Sequence, residues 1–298
     1  MPVYTIANEK ITVSVNGMGA ELSSLRGKSG TEYLWDAKPT WWKRSSPVLF
    51  PFVGGLKNGC YQVDGKTYPM AQHGFARDME FSLIEKEDSM LRFRLCSNAE
   101  TLERYPFPFR LDISYQLEGN SLTVGWDVAN TGEKTMYFSI GAHPAFLCPP
   151  PNAPFLDGKS KNRTDCFIQT DAEKEISYRM LEGGLICPPK YQISLENGRF
   201  PITSDTFEHD ALVIEGNQAH KVSLNCQDGL PFVTVSFDAP LFGLWSPPGG
   251  APFVCIEPWY GRCDAQDFNG SLKERDYTNC LEPGQIFHAQ YSIQLEQE

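Results

Sequence analysis

The sequence predicts an all-β protein of antiparallel strands, and three observations carry that prediction. The 25 glycines and 22 prolines of the 298-residue chain are spread along it as punctuation, at about 16% against a typical ~12%. Apolar residues recur with period 2, which puts one face of an extended segment on a core. The turn signals between these segments are short, of the kind that joins neighbours antiparallel.

In chain order, Asp64-Gly65 inside YQVDGKTYP is the strongest hairpin signal, because both residues tolerate the positive φ that a tight hairpin turn requires. Leu91, Phe93 and Leu95 alternate in MLRFRLC. Ala99–Tyr105 shows the best 3.6-residue period, and Pro106 ends it, since the residue before a proline is driven out of the helical region. Helix is therefore a minor component. Leu111, Ile113, Tyr115 and Leu117 alternate before Glu118-Gly119-Asn120, and Leu122, Val124, Trp126 and Val128 after it, which reads as a hairpin. Further strands are expected at Lys221–Cys226, Phe232–Phe237, Phe253–Glu257 and Gln290–Leu295. The stretch Cys148–Asp165, with Pro149, Pro150, Pro151, Pro154 and Gly158, reads as a surface excursion. With no internal repeat and no linker composition, residues 1–298 read as a single domain.

Composition narrows the function. At 41% hydrophobic and 12% aromatic residues the chain has enough apolar surface to offset its folding entropy. A formal charge of −11 lacks the basic field that drives binding to nucleic acid or anionic membranes. No run of about 18 apolar residues and no secretory pattern at the start is present, and the nine cysteines include no CxxC. These features predict a soluble, cytoplasmic protein with reduced thiols and small-molecule partners, neither nucleic acid nor membrane.

Of five histidines, none forms HxH, HxxH or HExxH, so spacing gives no metal site. His73 in QHGFAR and His143 in SIGAHPAF stand among small residues followed by aromatics; each reads either as an imidazole open to a ligand or as one satisfied in a turn or core. Glu257, at the end of the apolar run PFVCIE and before Pro258-Trp259-Tyr260, is a partly desolvated general base or an ordinary strand-end carboxylate. Asp210, before the apolar Ala211-Leu212-Val213, is a ligand or a turn former. Cys255 reads as a buried inert thiol. No GxSxG or phosphate-cradling glycine loop occurs. Trp35, Trp41, Trp42, Phe50, Phe52, Trp245, Trp259 and Tyr260 are mostly core residues, with a few suited to stack against a sugar ring.

Taken together, WWKRSSPVLFPFVG (41–54), QHGFARD (72–78), SIGAHPAF (139–146) and FVCIEPWYG (253–261) resemble the aldose 1-epimerase (galactose mutarotase-like) family, nearest its LacX-type and hexose-6-phosphate epimerase-like subgroup. The resemblance implies a single-domain β-supersandwich with an open sugar cleft, and a mutarotase that interconverts the α and β anomers of a hexose or hexose phosphate without a cofactor. It assigns Glu257 as general base on the anomeric hydroxyl and His143 as general acid on the ring oxygen. His73 matches a sugar-binding histidine, Asp210 a hydroxyl-binding acid, and Arg44 and Arg77 basic positions that hold hydroxyls or a phosphate. One departure stands out: family members carry Arg in a G-R-L pattern where this chain has Gly54-Gly55-Leu56. Since that arginine is a sugar ligand in the family, its loss implies a different substrate preference, compensation by Lys57 or Arg44, or weakened activity. The alternative reading is a non-catalytic carbohydrate-binding protein on the same fold, and a glycoside hydrolase ranks below both because only one carboxylate stands out in these segments.

Overall fold

The computed structural model describes residues 2–153, 162–226 and 230–297. Two large antiparallel sheets dominate. The nine-stranded sheet runs, edge to edge, Arg199–Pro201, Phe167–Thr170, Lys221–Asn225, Pro231–Phe237, Ile286–Leu295, Ser121–Asn130, Phe109–Glu118, Met90–Cys96 and Ser82–Lys86. The eight-stranded sheet runs Leu185–Ser194, Glu175–Glu182, Leu212–Glu215, Leu241–Trp245, Phe253–Tyr260, Ile140–Ala142 and Val48–Leu49, with Ala145–Leu147 also paired to Phe253–Tyr260. A three-stranded meander (Val3–Ala7, Ile11–Asn16, Glu21–Gly27), a small hairpin (Cys60–Val63 with Lys66–Pro69) and a two-stranded sheet of Met136–Phe138 with Asn279–Leu281 complete the strands.

The period-2 faces are buried as their alternation predicts: Leu91, Phe93 and Leu95, then Leu111 to Leu117, then Leu122 to Val128, all enter one main core that reaches from Ile6 to Leu295. Asp64 and Gly65 have φ of 49° and 76°, the doubly left-handed turn that matches the twist of a hairpin. The one α-helix among the described residues is Ala99–Arg104, where Asn98 accepts a hydrogen bond from the Thr101 N–H (2.9 Å) and Thr101 Oγ1 accepts one from the Asn98 N–H (2.8 Å). Of the proline-rich excursion, residues 154–161, with Pro154 and Gly158, lie outside the described residues. No helix among the described residues is long and apolar enough to cross a membrane.

One expectation is corrected. The strand at Phe253 does not stop at Glu257 but runs to Tyr260, so Glu257 sits inside it. A proline in a strand costs a ladder hydrogen bond only where a neighbour waits for its N–H. Pro258 stands where the flanking strand Ile140–Ala142 ends: that strand pairs with Tyr260 and Trp259, and Ala145–Leu147 pairs with Cys255 to Phe253. The break between them is His143-Pro144.

Register then sorts the strand's side chains. Val254 and Ile256 enter the main core, whereas Phe253, Cys255, Glu257 and Trp259 point to the opposite face, where two smaller clusters lie. Space on that face is set by glycine. Gly243, directly across from Glu257, and Gly141, across from Trp259, hold the Trp259 indole so closely that a Cβ would fall 2.5 and 2.6 Å from it. Gly74, with φ of 71°, lies under the Phe50 carbonyl, where a Cβ would sit 2.2 Å from backbone oxygen. Gly65 has the same sign of φ but nothing within 4 Å. Gly74→Ala is therefore expected to lower stability by about 1–3 kcal/mol more than Gly65→Ala, since only the first adds a backbone clash to conformational strain. Parallel urea melts check this, and equal losses would refute the steric account.

Candidate active site

A cleft of about 480 Å³ opens on this outer face of the eight-stranded sheet, between its two small apolar clusters. Glu257 forms its floor, 1% exposed. The break at His143-Pro144 turns the imidazole toward it, and His143 Nε2 stands 3.3 Å from Glu257 Oε2. The imidazole is held by two indoles: the Trp42 ring stacks at 4.7 Å between centroids, tilted by 30°, and Trp245 meets it edge-on at 5.4 Å.

Burial controls the protonation of this pair. Desolvation pushes the Glu257 carboxyl well above the usual carboxylate range, helped by the nearby Asp210 charge and partly offset by the Trp259 indole N–H. Desolvation pushes His143 down to about 3, and the like charges of Arg77 and Arg44 act in the same direction. Both shifts favour the uncharged forms, a protonated carboxyl facing a neutral imidazole.

His73 sits beside this pair, its ring 5.7 Å from that of His143 and nearly perpendicular to it. Its φ of 68° belongs to the left-handed region, and the conformation is fixed from both ends: the His73 N–H donates to the Gly54 carbonyl (2.9 Å) and His73 Nδ1 accepts from the Gly54 N–H (3.1 Å). That leaves Nε2 for a ligand. Burial, then the charges of His143, Arg77 and Arg44, hold His73 well below its ordinary value, so it is a neutral imidazole. Asp210 is exposed at the rim, with φ of 74° and Oδ1 accepting from the Ala211 N–H at 2.9 Å.

Arg44 and Arg77 do converge on the cleft wall, but each is engaged. Arg44 Nη2 is 2.5 Å from Asp78 Oδ1 and its Nη1 3.8 Å from Glu21 Oε2; Arg77 Nη2 donates to the Gln72 carbonyl (2.7 Å) and its Nε lies 3.8 Å from Asp78 Oδ2. Lys57 is not a compensating cation for the cleft. Its Nζ donates to the Phe268 carbonyl and Asn269 Oδ1, at 2.8 and 2.9 Å, in a separate depression. Gly55 does not line the cleft either: a Cβ there would meet the Gly184 carbonyl at 3.0 Å, so the turn of the Glu175–Glu182 and Leu185–Ser194 hairpin occupies the space beside it.

The structure thus brings together Glu257, His143, His73, Asp210, Arg44 and Arg77, the six residues singled out by sequence. It adds Lys43 and Gln72, which lie inside the same sequence motifs, and Leu181, which no motif marked. Trp42, Trp245 and Trp259 line the cleft as well as its clusters.

Comparison with known proteins places the chain in a family. LacX of Lactococcus lactis subsp. lactis, in its chromosomal form, is 30% identical over 97% of this chain and 98% of its own length. The crystal structure of a galactose mutarotase related enzyme from Lactobacillus acidophilus superposes with a TM-score of 0.91 at 34% identity, covering 98% of this chain and 97% of that one. A galactose mutarotase-like protein from Lactobacillus casei gives 0.86 at 30% identity, covering 98% and 99%. With a family model for aldose 1-epimerases matching residues 2–269, the chain belongs to the aldose 1-epimerase family and is an isomerase of the mutarotase type.

Proposed function

We propose that this chain, folded as a single domain, interconverts the α and β anomers of a free hexose, with Glu257 as general base and His143 as general acid. The observation that carries the reading is the 3.3 Å contact between a buried carboxylate and a buried imidazole at the floor of a sugar-sized cleft. Mutarotation asks for one proton to leave the anomeric hydroxyl and another to reach the ring oxygen, which opens the ring; the aldehyde rotates, and the two transfers reverse on its other face. In the active form Glu257 is ionised and His143 protonated. Ring opening passes a proton to Glu257 and removes one from His143, so the pair ends uncharged, the state that burial favours. Each transfer contributes about 10²–10⁴-fold, and two account for about 5.5–11 kcal/mol of barrier lowering.

His73 Nε2 and Asp210 are positioned to bind sugar hydroxyls, and the faces of Trp245 and Trp259 to receive the apolar side of a ring. Charge around the cleft favours a substrate without phosphate. Arg44 and Arg77 are paired with Asp78 and Glu21, Asp210 adds a carboxylate at the rim, and the overall charge of −11 repels a dianion.

Glu257→Gln is expected to reduce enzymatic anomer exchange about 10²–10⁴-fold, measured by exchange NMR on a panel of aldoses. Full activity in that variant would remove Glu257 as the base, and sugar binding by calorimetry with no acceleration in the unaltered protein would favour a carbohydrate-binding role. On the same panel the free hexose is expected to have a higher kcat/KM than its 6-phosphate. Asp78→Asn, which releases Arg44, should narrow that difference about tenfold; an unchanged ratio would mean that Arg44 does not set it.

A further inference from the structure

Cys255 joins the Glu257–His143 pair in a way that sequence spacing hides. It stands two residues before Glu257 on the same face of the strand Phe253–Tyr260, fully buried and in no disulfide. Its Sγ, a Glu257 carboxylate oxygen and a His143 ring nitrogen all lie within 4.8 Å of one another. The 3.3 Å between His143 Nε2 and Glu257 Oε2 is the edge expected between two ligands bound at about 2.0–2.1 Å to a tetrahedral ion. Glu257 is 1% exposed, and its Oε2 accepts no hydrogen bond from the protein. A thiolate, an imidazole and a carboxylate form the donor set of a borderline-soft cation, not of Mg²⁺ or Ca²⁺, which take oxygen. Three protein ligands leave a fourth position, and the cleft that Glu257 and His143 line supplies the route to it.

We propose that the floor of the cleft is a zinc-binding site formed by Cys255, His143 and Glu257, and that Zn²⁺ bound there reversibly blocks the active site. The ion displaces the carboxyl proton between Glu257 and His143, and that proton and the Cys255 thiol proton both leave to solvent as the zinc–oxygen and zinc–sulfur bonds form. Binding itself stands on the three side chains alone; the inhibition rests on the proposed catalytic roles of Glu257 and His143.

Binding is tested on the full chain, stripped of metal, by titration with Co²⁺ as a spectroscopic stand-in and with Zn²⁺ against a chromogenic chelator. One equivalent of Co²⁺ is expected to give thiolate-to-cobalt charge-transfer absorption. Cys255→Ala should abolish that absorption and weaken zinc binding at least about tenfold. Because eight other thiols are present, dependence on Cys255 decides the matter: absorption that persists in Cys255→Ala, or none in the unaltered protein, overturns the site. Cys255→Ser serves on the same readout if the alanine variant does not fold. Zinc that binds through Cys255 is further expected to suppress anomer exchange, with recovery on adding a chelator; Cys255-dependent binding without suppression would keep the site and overturn the inhibition.

Discussion

A carboxyl and an imidazole share a buried floor at 3.3 Å, and the arrangement depends on a strand that is covered on both faces. Taking ionisable groups out of water is costly unless the protein arranges partners for them. Here the cost is contained by alternation. Val254 and Ile256 anchor Phe253–Tyr260 in the main core, and the intervening residues face a second surface walled by Trp42, Trp245 and Trp259. A one-residue slip in register would bury Glu257 among hydrocarbon and expose the core residues to the cleft.

The same strand needs an interruption beside it. Ile140–Ala142 and Ala145–Leu147 pair with different parts of Phe253–Tyr260, and the gap between them presents His143 to Glu257. Glycine supplies the remaining room. Gly243 and Gly141 allow the Trp259 indole to lie flat along the sheet, and Gly74 lets the chain pass under the Phe50 carbonyl so that His73 reaches the cleft. The catalytic reading, the aromatic walls and the proposed zinc site all descend from that local geometry.

Charge at the other end of the cleft follows a different logic. Two arginines meet there, yet their counterions come with them, Asp78 from the residue next to Arg77 and Glu21 from the N-terminal meander. Glu21 also accepts the N–H groups of Ser45 and Ser46, at 2.7 and 3.0 Å, so it fixes the segment that carries Arg44. The arginines therefore work as directed hydrogen-bond donors more than as a net positive pocket.

The sequence by itself determined the all-β class, the hairpins at Asp64-Gly65 and Gly119-Asn120, the short helix before Pro106 and the buried faces of 91–95, 111–117 and 122–128, because period-2 burial and turn chemistry are local properties. It also marked His73 and His143 through their small and aromatic neighbours, Glu257 and Asp210 through the apolar runs beside them, and Arg44 and Arg77 through the family resemblance alone. Tertiary structure decided what depends on contacts between distant segments. Only the pairing of Phe253–Tyr260 with two separate strands carries it past Pro258, and only the facing carbonyl of Gly184 shows how the space beside Gly55 is filled. Lys57, an apparent candidate for the missing charge, is held by Phe268 and Asn269, more than 200 positions away in the chain. Cys255 has no histidine near it in sequence, yet the fold sets His143 beside it, since antiparallel pairing makes neighbours of residues far apart along the chain.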